Sequence, residues 1–119
     1  MKVWAVVGLG NNPDRAAFGV AKLLQEKGHQ IIPIYPRAEV VHGQIGYKAL
    51  SEIPVQVDVV DCFVNSSIVG KVVDEAIAIG AKAVWLQLDV IDEPAVARAQ
   101  AAGLLTVMDR CPAIEYRSR

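Results

Sequence analysis

The sequence has little of several features that mark specialised classes of protein. Its two cysteines, Cys62 and Cys111, are too few for a disulfide scaffold or a four-cysteine zinc site. We therefore expect a reducing, cytoplasmic environment. The net charge of −1 provides no overall field to attract nucleic acid or an anionic membrane. No apolar run approaches the roughly 20 residues that span a bilayer, and the amino terminus lacks a signal-peptide pattern.

The sequence also lacks a recognisable catalytic or metal-binding motif. It contains no P-loop, no Ser–His–Asp set and no cluster of metal-ligating residues. We therefore expect no catalytic residue and no metal. The 119 residues are 53% hydrophobic and 21% charged, a balance typical of a folded protein, and we expect residues 1–119 to form one domain.

Five short apolar runs rich in valine and isoleucine are typical of strands that are covered on both faces. They span residues 3–8, 30–36, 57–64, 83–88 and 104–109. Helical patterns follow the first, third and fourth runs, and Pro13 with Asp14 predicts the start of the first helix. The stretch 37–56 is weaker and predicts one helical turn at "KALSEI".

This alternation predicts an α/β protein with a three-layer, Rossmann-like fold. We expect a five-stranded parallel sheet of order 3-2-1-4-5 with helices on both faces, because parallel crossovers are right-handed. The order would place the topological switch point between strands one and four, and ligands bind beyond the carboxyl ends of strands at such a point.

The loop after the first strand, "GLGNNPDR", is suited to an anion. Gly8 and Gly10 would let backbone N–H groups at a helix start approach a phosphate closely. Arg15 could grip the phosphate in bidentate fashion. A G-x-G pair is a weak signal, however, and these glycines could merely form the turn while Arg15 pairs with Asp14 or Glu52.

The end of the second strand argues against NAD. An NAD site has an acidic residue there to hold the ribose hydroxyls, whereas this chain has Tyr35, Pro36 and Arg37. A cation suits the additional ribose phosphate that NADP and coenzyme A (CoA) both carry. Since 119 residues leave no region for a dehydrogenase substrate, NADP remains an alternative as a bound ligand alone.

Nearly the whole sequence resembles the small stand-alone CoA-binding proteins, whose fold is similar to the amino-terminal CoA-binding domain of succinyl-CoA synthetase alpha subunits and of ADP-forming acyl-CoA synthetases. The matching segments are "VVGLGNNPDR", "VAKLLQEKGHQIIPIYP", "VDVVDCF", "EAIAIGAKAVWLQL" and "AAGLLTVMDRCPAIE". The most specific feature is "GAKAVWLQL" followed by "MDRCPAIE". The resemblance implies a protein that binds CoA or an acyl-CoA without catalysis of its own, because the catalytic groups of those synthetases lie outside this domain.

The resemblance also implies how CoA would lie. Its phosphates would meet the loop formed by Gly8, Leu9, Gly10, Asn11, Asn12, Pro13 and Arg15. Its adenosine end would lie near two short segments, Tyr35, Pro36 and Arg37 together with Phe63, Val64, Asn65 and Ser66. The pantetheine arm would run toward Gln87.

Three departures from the relatives weaken the expected site. Gly10 stands where relatives usually have a hydroxyl residue, Val64 where many have arginine, and Asp89 where many have glycine. One lost charged contact would cost about 1.5–3 kcal/mol, so a module that has lost its ligand and acts through a protein partner remains an alternative. Cys111 could form a mixed disulfide with CoA or could simply be a small residue that shapes a turn.

Overall fold

The computed structural model describes residues 2–111, in which strands and helices alternate as the sequence predicts. The strands are β1 (Val3–Val7), β2 (Gln30–Ile34), β3 (Val59–Cys62), β4 (Ala83–Leu86) and β5 (Leu105–Val107). The α-helices are α1 (Ala16–Glu26), α2 (Ser66–Ala78) and α3 (Glu93–Ala101), and a 3₁₀ turn spans Leu50–Glu52 within the predicted "KALSEI" segment. Within residues 2–111, no helix combines the length and apolarity needed to cross a membrane.

The sheet is covered by helices on both faces. Alternate residues of β1 point to opposite sides: Val6 packs into a cluster with α1, whereas Val7 packs into a second cluster with α2 and α3. All strand pairs are parallel. These observations confirm the predicted α/β, Rossmann-like fold with a five-stranded parallel sheet.

The predicted strand order 3-2-1-4-5 is wrong; the observed order is 2-1-3-4-5. Strand β3 lies beside β1, with Trp4 paired to Val59, and β2 is at the edge. Pro33 in β2 accounts for this arrangement, because proline has no N–H to donate and is confined to edge strands. The four residues of β3 are all buried, as a central strand requires. The switch point therefore lies between β1 and β3.

The chain between β2 and β3 takes the place of a crossover helix. It passes over the face that carries α2, where Leu50 of the 3₁₀ turn joins the same core cluster as Val69 and Val73. Helix α1 begins at Ala16 rather than at the predicted Pro13, because Asn12 forms a tight turn first. Its carbonyl oxygen accepts a hydrogen bond from Arg15 N at 3.1 Å. Asp92 caps α3 as expected, accepting from Ala95 N at 3.0 Å.

Candidate functional site

A cleft of about 620 Å³ opens beyond the carboxyl ends of the strands, next to the β1–β3 switch point. The loops after four strands contribute to its walls, as do the first turn of α1 and the crossover segment. From the predicted set, the structure brings together around this cleft Gly8, Arg15, Tyr35, Pro36, Phe63, Val64, Asn65 and Gln87.

Gly8 ties the ends of three strands together at this cleft. Its φ of +98° lies in the region that disfavours side chains, and a Cβ there would collide with the carbonyl oxygen of Phe63. The Gly8 N–H donates to Ile34 O at 2.8 Å, and the Phe63 N–H donates to Val7 O at 2.9 Å. The glycine therefore allows the loops after β1 and β3 to meet at close range.

The amino terminus of α1 faces the cleft without a capping group. Arg15, Ala16 and Ala17 all line it. No side chain caps this end of the helix and no acidic residue lies in the first turn. The first N–H groups of a helix have no intrahelical partner, and the helix dipole makes this end electropositive. This end of α1 is therefore suited to an anionic group.

Lys48 adds a second cation to the lining of the main cleft. It lies in the crossover segment just before the 3₁₀ turn, where its backbone N–H donates to Glu52 Oε1 at 2.9 Å. Glu75 of α2 also lines the cleft and partly offsets the two cations. The sequence did not point to Lys48, because its position depends on how the crossover passes over the sheet.

A smaller cleft of about 400 Å³ adjoins the main one and shares Gly8, Arg15 and Tyr35 with it. It holds the remaining part of the predicted loop and the end of the second strand, namely Gly10, Asn11, Asn12, Pro13 and Arg37. Arg37 therefore lies in the side cleft rather than in the main one.

Glu39 places a carboxylate in the side cleft, against the predicted phosphate loop. Its Oε1 accepts from Asn11 N at 3.3 Å and lies 3.1 Å from where a Cβ at Gly10 would be. The Asn11 side-chain amide donates to Val40 O at 2.8 Å. The backbone N–H and the side-chain amide of Asn11 thus both already bond the crossover segment.

Three predicted or suspected residues point away from both clefts. The Leu9 side chain is fully buried in the core beneath α1. The Ser66 hydroxyl accepts from Ile91 N at 2.9 Å and thereby holds the loop after β4. Cys111 packs against the α1-side cluster, which favours a packing role over a reaction with a ligand.

Two buried polar side chains lie beneath the main cleft. Gln87, at the end of β4, lines the cleft, and its Nε2 donates to Oδ1 of Asp61 in β3. Asp61 is fully buried, and its Oδ2 has no hydrogen-bond partner among residues 2–111. Burial raises the pKa of Asp61 to about 8, against the smaller lowering effect of the Gln87 hydrogen bond. Burial also raises the pKa of the neighbouring Cys62 thiol.

The described part of the chain contains no group of three potential metal ligands. The histidines lie outside both clefts: the His42 ring bonds Phe18 O at 2.8 Å on α1, and His29 accepts from Lys2 N at 3.3 Å. The main cleft combines a switch-point position, an uncapped helix terminus and two cations, and these features suit a small anionic ligand.

Comparison with known proteins assigns the family. Residues 2–117 match the family model described as a CoA binding domain, and the chain belongs to this family. It is 33% identical over 107 residues to the uncharacterized protein YneT of Bacillus subtilis, covering 90% of this chain and 79% of YneT.

A solved structure of a hypothetical protein from Pyrococcus horikoshii superimposes with a TM-score of 0.92 at 36% identity, covering 97% of this chain and 81% of that one. A shorter match, 40% identical over 55 residues, links 45% of this chain to 12% of the alpha subunit of an ADP-forming acetate–CoA ligase II from Pyrococcus furiosus. These findings confirm the resemblance to CoA-binding domains.

Proposed function

We propose that residues 1–119 form a single domain that binds CoA or an acyl-CoA in the main cleft and has no catalysis of its own. The observation that carries this proposal is the cleft at the switch point, which is lined by the uncapped start of α1 and by Arg15 and Lys48. The family match over residues 2–117 supports CoA as the ligand. A cytoplasmic location stays a prediction that rests on the low cysteine content.

The phosphates would lie at the first turn of α1. Arg15, Ala16 and Ala17 line the cleft there, and the free N–H groups of a helix start together with a guanidinium suit a phosphate chemically. Lys48 would approach the same charge from the crossover segment. Each charged contact of this kind is worth about 1.5–3 kcal/mol, so the pair could compensate for the arginine that is missing at Val64.

The adenosine end would extend toward Tyr35 and Pro36, from where Arg37 in the side cleft could reach its ribose phosphate. The pantetheine arm would follow the apolar part of the main cleft, where Ile68, Val72 and Leu88 contribute to the wall, and would end near Gln87. Apolar walls with a few polar groups are typical of small-molecule sites.

Isothermal titration calorimetry with CoA, acetyl-CoA, NADP and NAD tests this proposal. We expect heat with CoA or acetyl-CoA and weaker or no binding of NAD. Arg15→Gln should weaken CoA binding by about tenfold or more, whereas the matched variant Arg98→Gln should not, because Arg98 pairs with Asp74 on the α2–α3 face. Tighter binding of NADP than of CoA would favour the NADP alternative. No binding of any nucleotide up to millimolar concentration would contradict the proposal and favour a protein-interaction module.

A further inference from the structure

Gln87 presents its side-chain amide to the main cleft and is hydrogen-bonded to Asp61. This side-chain bond, not the backbone, sets the orientation of the amide. Gln87 is 4% exposed and Asp61 is fully buried, so each must find its hydrogen bonds within the protein or from a ligand. Gln87 Nε2 donates to Asp61 Oδ1. While Nε2 bonds Asp61, the other end of the Gln87 amide, Oε1, is available to the cleft that Gln87 lines.

Asp61 Oδ2 has no hydrogen-bond partner among residues 2–111, so a proton on this atom would have no acceptor in the arrangement described. An ionised carboxylate can only accept, so it must receive the N–H of Gln87 and leave the amide oxygen facing the cleft. A neutral carboxylic acid has an O–H, which is best satisfied by donating to the amide oxygen. The Gln87 amide then rotates and presents its NH₂ group to the cleft.

The surroundings of Asp61 contain few groups that could override this choice. Its neighbours across the sheet are Val6 of β1 and Trp85 of β4. The titratable group next to it is the Cys62 thiol, and Arg110 is the charged residue whose main chain bonds the end of β4, accepting from Trp85 Nε1 at 2.7 Å. Helix α1 covers this face of the sheet with apolar side chains, namely Ala17, Val20, Ala21 and Leu24.

We propose that Asp61 is a positioning residue whose proton decides whether Gln87 offers the bound ligand a hydrogen-bond donor or an acceptor. This inference rests on the proposed function, because it assigns Gln87 to recognition of the CoA or acyl-CoA in the main cleft. The pantetheine arm and the acyl group offer several carbonyl oxygens, and the phosphates are negative. The donor state, with neutral Asp61, therefore binds the ligand more tightly, and affinity falls when Asp61 ionises.

The change between the two Gln87 orientations should occur near pH 8, since burial raises the pKa of Asp61 to about 8. Below that pH the acid is neutral and the rotated Gln87 amide presents its NH₂ group to the cleft. Above that pH Gln87 Nε2 donates to the carboxylate, which is the arrangement in the structure. Reversing one hydrogen bond to a neutral ligand group corresponds to an affinity change of about three- to tenfold.

Two measurements test this inference. In the ligand-free protein, the NH₂ signals of the Gln87 side chain in ¹H–¹⁵N spectra should shift with pH, with a midpoint near 8, and Asp61→Asn should abolish the shift. Affinity for acetyl-CoA, a thioester with no free thiol to ionise, should fall about three- to tenfold across that midpoint in the wild type and stay flat in Asp61→Asn. Asparagine has nearly the same shape and still bonds Gln87, but it does not titrate.

Gln87→Met provides a second variant that leaves Asp61 in place. Its affinity should also lose the step near pH 8, which a purely structural role of the pair would not predict. Its unfolding free energy should still depend on pH, because Asp61 remains buried. A wild-type NH₂ signal that does not titrate overturns the inference whether or not CoA binds. So does an affinity step that persists in Asp61→Asn. If the Gln87 signal titrates but CoA does not bind at any pH, the proposed function and the role of Gln87 in ligand binding are refuted. The coupling between Asp61 and Gln87 would still be confirmed, so the two failures are distinguishable.

Discussion

Replacing Glu39 by glutamine is predicted to tighten CoA binding. The Glu39 carboxylate lies in the side cleft and accepts from Asn11 N at 3.3 Å, so it stands where the loop would otherwise offer a donor to a phosphate. Glutamine keeps an oxygen that can accept the same N–H, but it removes the negative charge. The substitution therefore tests electrostatics with little change in shape.

The magnitude follows from Coulomb's law. For a ligand charge about 6 Å from Glu39, the repulsion is about 0.7 kcal/mol at the dielectric constant of water and about 2.8 kcal/mol at an effective value near 20. Glu39 is half-buried, which places it between these limits. We expect Glu39→Gln to raise the affinity for CoA by about three- to thirtyfold.

Isothermal titration calorimetry of CoA against wild type and Glu39→Gln measures this effect, and Glu26→Gln is the matched control. Glu26 ends the 11-residue helix α1, so it lies about 16 Å from the open terminus, beyond the Debye length of roughly 8 Å at physiological salt. The control should bind like the wild type, and added salt should reduce the gain. Equal or weaker binding by Glu39→Gln would refute the placement of the phosphates beside this loop.

Three further predictions concern the site and the fold. Lys48→Gln should weaken CoA binding by about tenfold in calorimetry. The control Lys71→Gln, at an exposed position of α2, should leave the affinity unchanged. Equal effects of the two variants would show that Lys48 acts only through the net charge of the protein. Gly8→Ala should lower the unfolding free energy in urea by about 2 kcal/mol or more, because the φ of Gly8 is +98° and a Cβ would collide with the backbone of Phe63. The control Gly19→Ala, inside α1, should raise the unfolding free energy by about 1 kcal/mol. Similar unfolding free energies for the two variants would contradict the argument from backbone strain. The pKa of Asp61 is raised from 3.8 to about 8, so between these pH values the folded state holds a proton that the unfolded chain has released. Unfolding free energy should therefore fall as pH rises across that window, by at most about 1.4 kcal/mol per pH unit, and level off above it; a wild-type slope that Asp61→Asn does not reduce would speak against a buried neutral acid.

The sequence contained enough to predict the layers of the fold but not the order of the strands. Buried strands such as β3 read as continuous apolar runs, and Asp92 caps a helix by a local rule, so both follow from short-range physics. The residues of an apolar run predict a buried strand, but they do not predict which strand lies beside it in the sheet. Pro33 was the available signal, since a proline in a strand indicates an edge position, and it places β2 outside β1.

The candidate site was predictable where it depends on strand ends and unpredictable where it depends on contacts across the chain. Gly8 and Gln87 follow strands, so their arrival at one rim of the sheet could be expected. The approach of Glu39 to Asn11, 28 positions apart, depends on the path of the crossover. The bond between Gln87 and Asp61, 26 positions apart, likewise depends on which strands are neighbours.

Titration of the ¹⁵N-labelled protein with CoA, followed through backbone amide signals, tests the central claim most directly because it reports binding and location together. We expect saturable shifts at Ala16, Ala17, Asn65 and Leu88, which surround the main cleft. Residues near the opposite ends of the strands, such as Lys82, should be unaffected. Absence of shifts up to millimolar CoA, or shifts confined to surfaces outside the two clefts, would contradict the assignment of this cleft as a CoA site.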